Sequence, residues 1–140
     1  MRFWDTSAVI PLCVLEPVTV RMRRLTRADP SLLVWWATRT ECISALERRA
    51  REGAIGIPDL RRSRDVLEAL TSAWSEVLPS DRLRERAERI LGVHPLRAAD
   101  ALQLAAALVW SRGRTPGLEL VSLDDRLRAA AGREGFTVLP

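Results

Sequence analysis

The sequence predicts an α/β protein with a mostly parallel sheet of four to five strands that is flanked by helices. Three observations support this fold class. Short apolar segments alternate with longer helical patterns along the chain, as strands alternate with crossover helices in parallel sheets. Residues 32–37 are apolar throughout, which is typical of a strand covered on both faces. Residues 97–110 form an almost entirely apolar helix, which must therefore lie centrally.

The first half of the chain is predicted to contain two strands and three helices. An apolar pair at residues 3–4 runs into an acid and two hydroxyls, which indicates a short strand followed at once by a helix with Pro11 early in it. Glu16-Pro17 separates that helix from the next, and a turn at 29–31 precedes the second strand. The predicted strands are 3–4 and 32–37, and the predicted helices are 7–15, 18–27 and 38–52.

The second half is predicted to contain three strands and four helices. A loop at 55–59 opens it, and Pro79 follows a short apolar strand. Turns at 92–95 and 112–117 flank the central apolar helix. The predicted strands are 76–78, 118–123 and 136–139, and the predicted helices are 60–74, 81–91, 97–110 and 125–131.

The composition indicates one domain over residues 1–140, because a chain of this length buries a core without disulfides or a structural metal. No apolar run approaches the roughly 18 residues of a membrane span, and the first residues lack the pattern of a secretory signal, so we expect a cytoplasmic protein with no membrane partner. Cys13 and Cys42 are interpreted as buried thiols. The net charge of +4 favours a polyanionic partner, although all the basic residues are arginine and this usage alone does not indicate phosphate recognition.

Four acids follow strands or begin helices in the predicted fold. Asp5 and Asp124 end strands, Glu41 lies just after residues 32–37, and Asp100 opens the apolar helix. In open α/β sheets, ligands bind beyond the carboxyl ends of the strands. We therefore expect these four carboxylates at the same edge of the sheet.

Helix capping explains each acid when it is taken singly. Asp5 and Asp124 have the position of N-caps, although Ser7 could cap the first helix equally well, and Asp100 suits the first turn of a helix. Thr38 and Glu41 have the spacing of a capping box. Ser122 and Asp125 have a similar spacing. Because capping does not explain why the acids share one edge, we interpret Asp5 as a ligand and assign the cap to Ser7.

A cluster of carboxylates requires a compensating cation, because like charges raise one another's pKa values. A set of oxygen donors suits Mg²⁺ or Mn²⁺ rather than zinc. The only histidine, His94, precedes a proline and is interpreted as a turn residue. Arg61, Arg62 and Arg64 are candidates for binding a polyanion, with a solvated helix face as the favoured alternative.

The ordered motifs resemble the PIN domain, and within it the VapC-type toxins of bacterial type II toxin–antitoxin pairs. The resemblance covers the whole chain. Its motifs are Asp5-Thr6-Ser7, Thr40-Glu41, the segment 96–105 around Asp100, and Val121-Ser122-Leu123-Asp124 followed by Arg126-Leu127.

The resemblance implies a three-layer PIN-like sandwich and a Mg²⁺- or Mn²⁺-dependent endoribonuclease. It implies a catalytic pocket of four acids, which are Asp5, Glu41, Asp100 and Asp124. Of these, Asp5 and Asp100 are the implied direct metal ligands. Thr6 and Ser122 are the implied supporting or substrate-orienting hydroxyls. Asp125 adjoins Asp124 and could share its role. The implied partners are an RNA substrate, a VapB-type antitoxin and a second copy in a homodimer.

Two other functions remain open at this stage. One is a PIN-type RNA-processing nuclease without a toxin role. The other is a catalytically silent Mg²⁺-binding α/β module, such as a receiver-like domain. A receiver-like site requires a lysine, and the absence of lysine from this sequence argues against it.

Overall fold

The computed structural model describes all 140 residues and contains five strands and seven helices. The strands are β1 (Arg2–Trp4), β2 (Leu32–Trp35), β3 (Ser75–Val77), β4 (Glu119–Val121) and β5 (Thr137–Leu139). The helices are α1 (Thr6–Cys13), α2 (Thr19–Ala28), α3 (Thr38–Arg51), α4 (Ile57–Thr71), α5 (Asp81–Val93), α6 (Ala98–Trp110) and α7 (Asp125–Arg133).

All five strands are parallel and lie in the order β3-β2-β1-β4-β5. The predicted α/β class and mostly parallel sheet are therefore confirmed. The chain moves outward from β1 to β3 on one side and from β4 to β5 on the other, so the strand order reverses between β1 and β4. Such a reversal opens a crevice beyond the carboxyl ends of the two strands, where ligands bind in folds of this kind.

The sheet separates two apolar cores, which makes the molecule a three-layer sandwich. Alternate residues of β2 point to opposite faces: Leu33 and Trp35 join the core with α5, α6 and α7, whereas Leu32 and Val34 join the core with α1 to α4. Both faces are covered, which explains the unbroken apolar run in this strand. The prediction for α6 is also confirmed, because Ala101 and residues 103–108 on this helix are all buried.

The predicted loop at 55–59 is wrong in its second half, because α4 begins at Ile57 and ends at Thr71 rather than spanning 60–74. Pro58 lies in its first turn, where proline costs no backbone hydrogen bond, and Asp59 in the same turn complements the positive end of the helix dipole. The other helices differ from prediction by at most two residues at either end. None of the seven helices combines the length and the apolar character that crossing a bilayer requires.

Candidate active site

The four predicted acids lie at the edge of the sheet where the strand order reverses. Asp5 connects β1 to α1, and Asp124 connects β4 to α7. Glu41 lies in the first turn of α3, and Asp100 lies in the first turn of α6. Electrostatic coupling links the four in a chain, because the charge of Glu41 acts on Asp5 and Asp100, and the charge of Asp124 acts on Asp100.

Asp5 is the most buried of these acids, with 5% of its surface exposed. Its Oδ2 atom accepts hydrogen bonds from the Ser7 hydroxyl, from the Ser7 amide at 3.2 Å and from the Ser122 hydroxyl at 3.0 Å. Burial raises the pKa of Asp5 to about 6, the charge of Glu41 adds to the rise, and the hydrogen bonds from Ser7 and Ser122 oppose it. The side chain is therefore a fixed carboxylate whose negative charge is costly to maintain.

The same two hydroxyls bind the loop that carries Asp124. The amide of Leu123 donates to the Ser7 hydroxyl at 2.8 Å, and the amide of Asp124 donates to the Ser122 hydroxyl at 3.1 Å. Each hydroxyl thus accepts from the loop and donates to Asp5. These two hydroxyls therefore hold the β4–α7 loop against the Asp5 carboxylate at the end of β1.

Glu41 is held by side chains from two other helices. Its Oε2 atom accepts hydrogen bonds from the Thr6 hydroxyl on α1 and, at 2.8 Å, from Gln103 Nε2 on α6. Gln103 Nε2 also lies 2.9 Å from Thr6 Oγ1 and 3.3 Å from Thr38 Oγ1. Glu41 is therefore positioned by contacts that join α1, α3 and α6.

Sequence reasoning missed Gln103, although a signal was present. Gln103 and Asp100 are the two polar residues of an otherwise apolar helix, and their spacing of three positions places them on the same face. The Gln103 side chain is 1% exposed, and its Oε1 atom is buried without a partner. An unsatisfied buried carbonyl costs about 1–3 kcal/mol, so the amide is held here by what its nitrogen binds.

Asp100 and Asp124 are half-buried, as Glu41 is, but no side chain donates a hydrogen bond to either of them. Burial raises the pKa of Asp100, the charges of Asp124 and Glu41 add to the rise, and the backbone and charge of Arg97 oppose it. Asp124 Oδ1 accepts the amide of Leu127 at 2.8 Å and so caps α7. Asp125 is exposed and has no hydrogen bond to the pocket acids.

The structure corrects three of the capping assignments. Asp5, not Ser7, is the N-cap of α1, because the Asp5 carboxylate accepts the Ser7 amide. The Thr38–Glu41 capping box does not form, since α3 has no side-chain cap and Glu41 turns toward Gln103.

The third correction concerns the second serine. Ser122 and Asp125 do not form a capping box, because Asp124 is the N-cap of α7 and the Ser122 hydroxyl donates to Asp5. Asp5 and Asp124 thus cap a helix and face the pocket at the same time.

The remaining candidate residues lie apart from the four acids. His94 follows α5, is buried, and contacts Glu134 at 2.7 Å. The three arginines of α4 are exposed, and two of them form ion pairs with Asp59 and Glu47, as a solvated face would. Both cysteines are free, and burial raises the pKa of Cys13 to about 12, so this thiol stays protonated.

The pocket suits a divalent cation by its charge and its donor atoms. None of the eight ion pairs in the structure includes Asp5, Glu41, Asp100 or Asp124, although the chain contains 22 basic residues. Carboxylate oxygens are ligands that Mg²⁺ and Mn²⁺ prefer. No three of the acidic, histidine and cysteine side chains already stand as a ready metal-binding group, so the fit rests on charge and chemistry.

Comparison with protein families gives a match to the PIN domain model over residues 2–133. No curated protein matches the chain. Among solved structures, PAE2754 from Pyrobaculum aerophilum is similar with a TM-score of 0.68 and 23% identity, covering 98% of this chain and 87% of that one.

Two further structures show the same fold over their whole length. A toxin–antitoxin complex from Klebsiella pneumoniae matches with a TM-score of 0.68 and 18% identity, covering 100% of this chain and 97% of the other. FitAcB from Neisseria gonorrhoeae matches with a TM-score of 0.69 and 14% identity, with coverage of 100% and 97%.

Proposed function

Because this chain belongs to the PIN domain family, whose members are typically nucleases, we propose that it is a metal-dependent endoribonuclease. The single observation that carries the proposal is the uncompensated acidic pocket. Four carboxylates, two from the β1–α1 and β4–α7 connections and two from α3 and α6, share the crevice where the strand order reverses. None of them forms an ion pair, and Arg97 is the one arginine whose charge acts on Asp100. A polyanionic substrate could not approach this pocket unless a cation offset its charge.

Asp5 and Asp100 are the proposed ligands of the ion, and Mg²⁺ or Mn²⁺ bound there would polarise the scissile phosphate and acidify a water. The hydrogen bonds to Asp5 all reach Oδ2, which leaves Oδ1 available as a ligand. Ser7 and Ser122 hold this carboxylate in one orientation, so that no ordering of the side chain is required when a ligand binds. Thr6 and Ser122 are proposed to act only through the acids that they contact.

Glu41 and Asp124 are the proposed acceptors of a proton from the attacking water, or ligands of a second ion. Glu41 has its Oε2 atom bound by Thr6 and Gln103, and its Oε1 atom is the one free to orient a water. Because water rather than the ribose 2′-hydroxyl attacks in this proposal, the expected products carry a 5′-phosphate. Product-end analysis therefore distinguishes it from a mechanism that uses the 2′-hydroxyl.

We further propose that the enzyme is the toxin of a toxin–antitoxin pair, inhibited by a VapB-type antitoxin and acting as a homodimer. The fold of this chain matches a Klebsiella pneumoniae toxin–antitoxin complex over its whole length, which supports the proposal at the level of fold. Expression without a partner should arrest growth, and a small protein encoded by an adjacent gene should reverse the arrest. Ribonuclease activity without growth arrest would favour an RNA-processing enzyme instead.

The decisive experiment incubates purified protein with total RNA, with Mg²⁺, with Mn²⁺ or with EDTA. Cleavage should require the metal and should fall by at least about a hundredfold in Asp5→Asn and in Asp100→Asn, because each loses a charged ligand. Asp65→Asn is the matched control, since Asp65 is an exposed acid of α4 without an ion pair. Metal-dependent cleavage that persists in both pocket variants, with both folded, would contradict the proposal.

A further inference from the structure

An exposed tryptophan lies at the same edge of the sheet as the acidic pocket. Trp36 follows β2 directly and is 53% exposed, whereas its neighbour Trp35 is 5% exposed. The two indoles meet edge to face, with their centres 6.3 Å apart and their planes at 68°. This arrangement braces the Trp36 ring and leaves at least one of its faces uncovered by Trp35.

Trp36 forms part of a cleft of about 450 Å³, which we call the Trp36 cleft. Its walls combine aromatic and aliphatic side chains with polar ones; they are Trp35, Trp36, Pro79, Ser80, Asp81, Leu83, Arg84 and Leu102. The volume falls within the roughly 300–1,000 Å³ typical of small-ligand sites. An apolar floor with a few polar groups at the rim suits a planar heterocycle attached to a charged backbone.

The cleft and the acidic pocket both take residues from α6. Leu102, which lines the cleft, lies between Asp100 and Gln103 in sequence, so the two sites are separated by less than one helical turn along this helix. On the other side, Trp36 lies two residues before Thr38, whose hydroxyl contacts Gln103. Both sites therefore occupy the carboxyl edge of the sheet, one beyond β1 and β4 and the other beyond β2 and β3.

We propose that the Trp36 cleft binds one unpaired nucleotide of the RNA substrate, with its base stacked on the indole of Trp36. This inference rests on the proposed ribonuclease function and names a binding site for its substrate. Single-stranded RNA is held by aromatic side chains that stack on its bases, largely independently of base identity. Arg84 at the rim, whose side chain is 71% exposed, lies where it can contact a neighbouring phosphate.

A nucleotide fits this cleft better than a second copy of the chain. The walls include Ser80, Asp81 and Arg84, and the last two form an exposed ion pair that an apolar subunit interface would have to desolvate. The net charge of +4 also favours a polyanion over another copy of equal charge. Dimer formation through Trp36 is therefore the competing outcome in the test.

The test uses the shortest single-stranded RNA that the wild-type protein cuts, together with copies in which one nucleotide at a time lacks its base. Trp36→Ala should raise KM about five- to a hundredfold with little change in kcat, and Trp36→Phe should retain most of the affinity. One abasic position near the cut should weaken binding to the wild type but not weaken binding to Trp36→Ala any further. Leu15→Ala is the control, because Leu15 is 83% exposed and lines a different cleft.

Each other outcome overturns the inference. An unchanged KM in Trp36→Ala, or abasic effects of equal size in wild type and variant, means that no base stacks there. Loss of a dimer in sedimentation, with the abasic effects unaltered, assigns Trp36 to a subunit interface. A failure of the ribonuclease proposal is distinguishable, because metal-dependent cleavage would then survive Asp100→Asn whatever Trp36 does.

Discussion

The acidic pocket has a closed half, formed by Asp5 and Glu41, and an open half, formed by Asp100 and Asp124. In the closed half, hydroxyl and amide side chains donate to one oxygen of each carboxylate and fix its orientation. In the open half, no side chain donates to either carboxylate, and the Leu127 amide binds Asp124 as a helix cap. Glu41 is half-buried like these two acids, so the halves differ in their donors. The difference teaches that one half is organised before any ligand arrives, whereas the other can adjust to it.

Asp5 and Asp100 also differ in the charges that raise their pKa values. Burial is the main cause for both Asp5 and Asp100, but the charges of two pocket acids raise the pKa of Asp100, whereas only Glu41 adds to that of Asp5. Because Asp5 is the more buried of the two, buried charge lowers stability mainly at Asp5. This contrast gives predictions that range from a large change in stability to a small change in pH dependence.

The largest expected effect is on stability, from Asp5→Asn. Folded Asp5 binds its proton more tightly than the unfolded chain does, so ionisation lowers stability as the pH rises from about 4 to about 6. A pKa raised from 3.8 to about 6 corresponds to a cost of about 3 kcal/mol above pH 6. In EDTA at pH 7.5, urea denaturation should show that Asp5→Asn is more stable than wild type by about 2 kcal/mol.

The gain in stability from Asp5→Asn should vanish near pH 4, where wild-type Asp5 is protonated in the folded state. Asp100→Asn should give a smaller gain, because the more exposed Asp100 is better solvated. Asp65→Asn serves again as the control. Equal gains from the two pocket variants would remove the distinction between the closed and open halves.

A smaller effect is expected from Gln103→Met, which keeps the side-chain volume but removes the amide that holds Glu41. We expect kcat/KM to fall about tenfold, because Glu41 is no longer fixed. The free energy of unfolding should change by less than about 1 kcal/mol, since the variant also removes the unpartnered buried Oε1 atom. Full activity in Gln103→Met would show that Thr6 alone positions Glu41.

The smallest expected effect is a shift of the pH–activity profile, which distinguishes the role of Asp124 from that of Asp125. Asparagine caps helices as well as aspartate, so Asp124→Asn should remain folded. Loss of a proposed catalytic carboxylate should lower kcat. Removing the Asp124 charge also lowers the pKa of Asp100, so the acidic limb of the profile of the remaining activity should move to lower pH by less than about one pH unit. Asp125→Asn should leave the profile unchanged, because Asp125 is exposed. A shifted profile in Asp125→Asn together with an unchanged profile in Asp124→Asn would assign the fourth pocket acid to Asp125.

The elements of the fold were largely predictable because their signals are local. The apolar run at 32–37 and the apolar helix at 97–110 need no partner to be recognised. The helix is confirmed as a buried element, and the run is confirmed as a buried strand over Leu32–Trp35 but not at Trp36, which is 53% exposed. The start of α4 was missed because Gly56, Ile57 and Pro58 have the local pattern of a loop. In the fold, Gly56 precedes the helix and Pro58 is accommodated in its first turn.

The sequence by itself determined that four acids stand where strands end and helices begin, because these positions follow from local periodicity and from the direction of parallel strands. Only the tertiary structure decided which atoms hold these acids. The Ser122 hydroxyl reaches Asp5 across 117 residues, and Gln103 reaches Thr6 across 97. Such contacts depend on the order of the strands and the packing of α6 beneath the pocket, which no local pattern encodes. For the same reason, capping was assigned to Ser7 although the folded chain uses Asp5.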